Sequence, residues 1–98
     1  MKFESGECVI VILQNPREKI FGMLHEISPA GLMLRGIDLE YFDDWGRSIA
    51  SGEVYLPMND YFLPMWRVER MTKDETSGEA ASLKEQFEHR TGLKLEDF

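Results

Sequence analysis

Residues Cys8, Val9, Ile10, Val11, Ile12 and Leu13 are all apolar, and four of the six are β-branched. Branching at Cβ favours extended backbone, so this run reads as a strand. A strand with one wet face alternates apolar and polar side chains, and an unbroken run therefore predicts cover on both faces. With 98 residues the chain has room for a single domain and one modest core. Other strands must supply one cover, and a helix or a second subunit the other.

The rest of the chain offers the partners. Asn15 and Pro16 open a turn, and residues 19–28 read as a second strand with Phe21, Met23 and Ile27 on one face and His25 on the same face by period two. Gly22, in its middle, allows a strong bend. After a turn at Pro29, Ala30 and Gly31, residues 32–37 read as a third strand, and the short connections predict a meander. Leu39, Phe42, Trp45 and Ile49 recur at three- and four-residue steps behind the capping residue Asp38. They predict an amphipathic helix over 39–50 despite Gly46, ended by Ser51 and Gly52. Residues 54–56 read equally as an extra strand or an extended arm.

Residues 61–71 form the corner on which the chain turns. Tyr61, Phe62 and Leu63 suit a buried pleat, and Pro64 has no N–H for a ladder, so two strands meeting at a corner fit better than one long strand. Trp66 reads first as a core residue closing a small barrel, and alternatively as an anchor in a subunit interface. Residues 73–81 are polar and aperiodic, the composition of a linker. Ser82 and Glu85 have the capping-box spacing, predicting a helix to residue 90 or 91 that Gly92 stops. Leu93, Leu95 and Phe98 make an apolar ending that must dock, on its own barrel or on a neighbour. The expected division is a β-barrel over 1–72 with a helical insertion at 39–50, a linker over 73–81, and a helix with its apolar end over 82–98.

Charge narrows the function. The formal net charge is −7, with 11 acidic and 7 basic residues up to Met71 and 7 and 4 beyond it, so acidity is general. Nucleic-acid affinity rests on Lys and Arg neutralising phosphates, which disfavours RNA, and no DNA binding is expected. Lys19, Arg35, Arg67 and Arg70 are the candidates for a local basic patch, although surface ion pairing is the ordinary role of such arginines. The single Cys8 cannot form an internal disulfide and reads as a small core residue. The first residues are too polar for a signal peptide and no apolar run approaches a membrane span, so a cytoplasmic protein without membrane contact is expected.

The sequence carries no catalytic or metal-binding constellation. The two histidines, His25 and His89, have no second ligand at metal spacing. Asp43 and Asp44, imaginable as a paired carboxylate, point about 100° apart on a helix and are more simply a solvated face. No cofactor or enzymatic activity is expected.

The three strands over 9–36, with Gly22 inside the second and Leu32, Met33 and Leu34 closing the third, resemble the first signature of the Sm-like superfamily, which includes the bacterial Hfq RNA chaperones. Phe62, Leu63 and Val68 then fall where the last two strands of the second signature would lie, within 61–71. The resemblance implies a mainly β fold, a strongly bent five-stranded Sm-like or SH3-like barrel, here with an inserted short helix and a C-terminal helix. It also implies that the fourth and fifth strands pair between subunits into a ring, with Phe62, Leu63, Met65, Trp66 and Val68 as interface candidates. RNA-binding members carry Asp and Asn at the second turn, where this chain has Ser28, Pro29, Ala30 and Gly31. They also carry a basic element before the last strand, where it has Pro64, Met65 and Trp66. The first expectation is thus a non-catalytic homo-oligomeric assembly module, with an RNA-binding regulator second and a small-ligand binder or enzyme third.

Overall fold

In the computed structural model, which describes residues 2–98, the apolar run is strand β1 (Cys8–Leu13), and its two faces enter two different cores. Val9, Val11 and Leu13 pack with Ile20, Leu24, Leu32, Leu34 and Leu63. On the other face Cys8 and Ile10 pack against a cluster built from Phe21, Ile37, Trp45, Ile49, Met58, Phe87 and Leu95. Where one core was expected, the sheet has an apolar cluster on each side. Full burial of each such side chain is worth about 1.5–3 kcal/mol, so the second cluster is a major part of the fold.

The domain is mainly β, a single antiparallel sheet with two helices. Strands β2 (Glu18–Ser28), β3 (Gly31–Asp38), β4 (Asn59–Pro64) and β5 (Val68–Lys73) join β1 in the order β4-β3-β2-β1-β5. The first four strands form the meander, and a 3₁₀ turn at Met65–Arg67 carries the chain from β4 to β5 on the far side of β1. That corner is held where Gln14 N donates to Arg67 O at 2.8 Å and Met65 N to Ala30 O at 2.9 Å. Gly22 sits opposite Gly36, and a Cβ on Gly22 would collide with the Arg35 carbonyl oxygen and lie 2.7 Å from the Gly36 Cα. No side chain fits between β2 and β3 at this point.

Between Leu24 and Glu26 the β2–β3 register shifts, a bulge centred on His25. The expectation that Phe21, Met23 and Ile27 share a face fails there, because the extra residue carries Ile27 to the side of Leu32, where it is 47% exposed.

Helix α1 (Leu39–Ala50) starts where the Asp38 side chain accepts from Glu40 N at 2.8 Å, and its apolar stripe delivers Trp45 and Ile49 to the second core. Helix α2 (Leu83–Thr91) starts at Ser82, whose hydroxyl accepts from Glu85 N, and stops at Gly92 in the left-handed region, φ 73°. Asp74, just past β5, is a second cap: its carboxylate accepts from Leu83 N at 2.8 Å and Lys84 N at 3.0 Å, while its own N–H donates to Cys8 O at 2.9 Å. The end of the chain folds back over α1. Phe87 stacks on Trp45 with ring centroids 4.9 Å apart, and Phe98 meets Trp45, Phe87 and Tyr55 edge-on. Leu95 and Phe98 of the apolar ending thus dock on their own domain, whereas Leu93 stays exposed. Residues 54–56 are an arm, not a strand, pinned where Trp45 Nε1 donates to Leu56 O at 2.6 Å.

Candidate interaction surfaces

A five-stranded sheet in this order ends in two strands with one neighbour each. Strand β4 pairs only with β3 and β5 only with β1, so two six-residue edges present backbone N–H and C=O groups without strand partners. Such edges are templates for further strands unless covered. Beside β4 on the outer face, Phe62 stands opposite Met33, and both are exposed. Arg35 bounds this patch: Nε and Nη2 donate to Phe98 O at 3.2 and 2.7 Å and Nη1 to Asp60 at 3.1 Å, so the tail covers the sheet on one side of Arg35 and leaves it bare on the other.

The corner residues divide. Trp66 is 65% exposed, which overturns its reading as the core tryptophan. Trp45 holds that place, fully buried. The reason is local, because the 3₁₀ turn swings the Trp66 side chain outward while its carbonyl is held by Gln14 Nε2 at 2.9 Å. Leu63 is buried, and Met65 and Val68 are half-buried against the inner core. Phe62 and Trp66 are therefore the two interface candidates with free apolar surface.

Of the four basic candidates, two are occupied. Arg67 donates to Gln14 O, Pro16 O and Glu18, and Arg35 is bound as described. Lys19 and Arg70 both lie opposite Ile12, on the two sides of β1, and make no ion pair among the described residues. The four do not converge. Two strand spacings, about 10 Å, separate Lys19 from Arg70.

A half-open groove of about 450 Å³ lies between α1, α2 and the outer face of β1. Ile10, Leu39, Phe42, Leu83 and Phe87 make it apolar, and the exposed Asp43, Gln86 and Arg90 form its polar margin. Asp43 receives Arg90 Nη1 at 2.8 Å and Arg47 Nη2 at 2.7 Å, and the Arg90 bond first, then Arg47, holds its carboxyl below the usual range. Asp44 also binds Arg47, at 2.9 Å. Asp43 is thus the clasp between the helices, while Asp44 pairs only within α1. The sequence pattern showed the stripe of α1 but not this groove, whose walls come from three elements distant along the chain.

Chemistry elsewhere is sparse. Burial pushes the Cys8 thiol up to about 11. His25 lies exposed at the bulge, and among the described residues no group of three or more His, Cys, Asp or Glu is placed to hold a metal ion. No described helix is long and apolar enough to cross a membrane. Comparison of the chain with protein-family models, curated proteins and solved structures finds no match.

Proposed function

We propose that this chain is a non-catalytic, homo-oligomeric Sm-like assembly module, in which the β4 edge of one copy adds to the β5 edge of the next. The observation that carries the reading is the pair of open edges, equal in length and set at opposite ends of one sheet. Strand addition satisfies backbone groups without requiring a particular side-chain pattern. Phe62 and Trp66 sit beside those edges as exposed aromatic anchors, the residue type that dominates interface energetics. The reading is also supported by five strands with a glycine inside the second, the features on which the Sm-like resemblance rests. The proposed compartment is the cytoplasm, in keeping with a single Cys8 that needs no oxidising environment.

Light scattering on size exclusion tests it. A discrete species several times 11.4 kDa, indifferent to salt, is expected, and Trp66→Ala or Phe62→Asp should yield smaller species without unfolding. A monomer at every concentration would overturn the assignment.

RNA binding is the second reading, favoured by the unpaired Lys19 and Arg70 on one face. With only two of the four candidate cations unpaired on a chain of net charge −7, its affinity should be weak, and each neutralised phosphate should contribute about −0.7 to the slope of log K against log salt for a single strand. Absence of retention on immobilised mixed RNA at low salt would remove it.

A further inference from the structure

We propose that the groove between α1, α2 and β1 binds a small arylcarboxylate, its ring against Phe42 and Phe87 and its carboxylate on Arg90. The site is separate from the sheet edges. At about 450 Å³ the groove is in the range of small-molecule pockets, roughly 300–1,000 Å³. Its lining belongs to an aromatic array: Phe42 and Phe87 centroids are 6.4 Å apart, and Phe87 is already stacked on Trp45. A flat ring extends such an array in the offset or edge-on geometry that aromatic groups prefer.

Arg90 determines the charge of the ligand. Its Nη1 donates to Asp43 Oδ1 at 2.8 Å and to Asp43 O at 3.3 Å, whereas Nε and Nη2 donate to nothing among the described residues. A guanidinium has five N–H donors in a fixed fork, and the Nε–Nη2 side is one that grips both oxygens of a carboxylate. Asp43 thus steadies the arginine through one nitrogen while leaving a bidentate edge free. Asp43 also keeps Arg47 at 2.7 Å, so a ligand need not break the clasp.

Gly46 keeps the wall low. A Cβ there would meet Arg90 Nη1 at 3.6 Å, Arg90 Cδ at 3.8 Å and Phe87 Cδ1 at 3.9 Å, all ordinary van der Waals distances. The packing of the helices therefore does not require glycine. Its effect is to leave the half-exposed stem of Arg90 open toward the groove, above the buried edge of Phe87.

The test is a ¹H–¹⁵N titration of the full chain with 2-naphthoate, with 2-naphthylmethanol as the uncharged counterpart. Saturable shifts at Phe42, Gly46, Phe87 and the Arg90 Nε–H are expected, with a dissociation constant of about 1 mM or tighter for a ligand of this size. The alcohol should bind about tenfold more weakly, and Arg90→Gln should lose a similar factor for the acid alone. Gly46→Leu should abolish binding of both. Should Gly46→Leu not fold, Arg90→Gln, altered at an exposed side chain, still decides. Equal affinity for acid and alcohol, shifts confined to other residues, or no saturation would overturn the proposal. Loss of 2-naphthoate binding as protein concentration rises, without any change at the β4 and β5 edges, would do so too, since it would mean that a second copy fills the groove.

Discussion

Replacing Gly46 with alanine should make the protein more stable. Gly46 is an interior residue of α1, where glycine costs about 0.8–1.0 kcal/mol relative to alanine because more backbone freedom is lost on folding. The added methyl would have three neighbours between 3.6 and 3.9 Å. Each such pair contributes about 0.1–0.2 kcal/mol of dispersion. With no collision to set against these terms, the gain is about 1.3 kcal/mol. For a domain of this size that corresponds to a rise in Tm of roughly 5–10 °C. Thermal and urea unfolding followed by circular dichroism would measure it, with an unchanged m-value required for the comparison. An unchanged or lower Tm would refute the reasoning, because it would mean that α2 lies closer to α1 than these distances or that the backbone at Gly46 is not helical. The same methyl narrows the groove, so 2-naphthoate should bind the stabilised variant less well.

Gly22→Ala should have the opposite sign and cost about 3 kcal/mol or more, since its Cβ collides with backbone of β3 that no rotamer change can move; a near-normal urea midpoint would contradict the close approach of β2 and β3. Asp74→Ala leaves Leu83 N and Lys84 N without their side-chain acceptor and should cost about 1–2 kcal/mol, with early loss of amide protection in the first turn of α2. Alkaline pH should destabilise the fold through Cys8. Its pKa is raised by burial from 9.0 to about 11, so between those values the unfolded chain releases a proton that the folded chain retains, and stability falls as pH rises through that window. Comparing urea midpoints of the native chain and Cys8→Ala from pH 8 to about 11 isolates this contribution; parallel curves would show that the thiol is not desolvated.

What could be read from residues alone was whatever local chemistry decides. Both helices begin and end where expected because Asp38, Ser82 and Gly92 act on backbone groups within a few positions of themselves. The demand for cover on both faces of β1 was likewise visible, since it follows from six consecutive apolar side chains. The identity of the cover was not. It comes from Phe87, Leu95 and Phe98, more than seventy residues away, and nothing local says whether such a tail returns to its own sheet or to a neighbour's. Trp66 was misjudged as the core tryptophan, whereas Trp45 stands on the apolar stripe expected of its helix. Trp66 has the more apolar flanks, yet a one-turn 3₁₀ segment faces it outward, while Trp45 follows two aspartates and is buried by the helix period. At His25 a single bulged residue reversed the alternation that parity would assign, and a bulge without glycine leaves little trace in composition. Arg90 and Gly46, the residues that give the groove its chemistry, belong to helices joined by over thirty intervening residues.

Asp74 gives the molecule a property that neither the edges nor the groove has alone. One residue closes the end of β5 onto β1 and starts α2, so the strand proposed to receive a neighbouring copy and the helix that walls the groove share an anchor. A ligand that displaces α2 acts on that anchor, and so does a copy that straightens β5. Binding free energies are reciprocal, so any factor by which the groove ligand changes assembly must equal the factor by which assembly changes the ligand's affinity. The subunit count measured with and without 2-naphthoate thus reads the strength of a thermodynamic linkage.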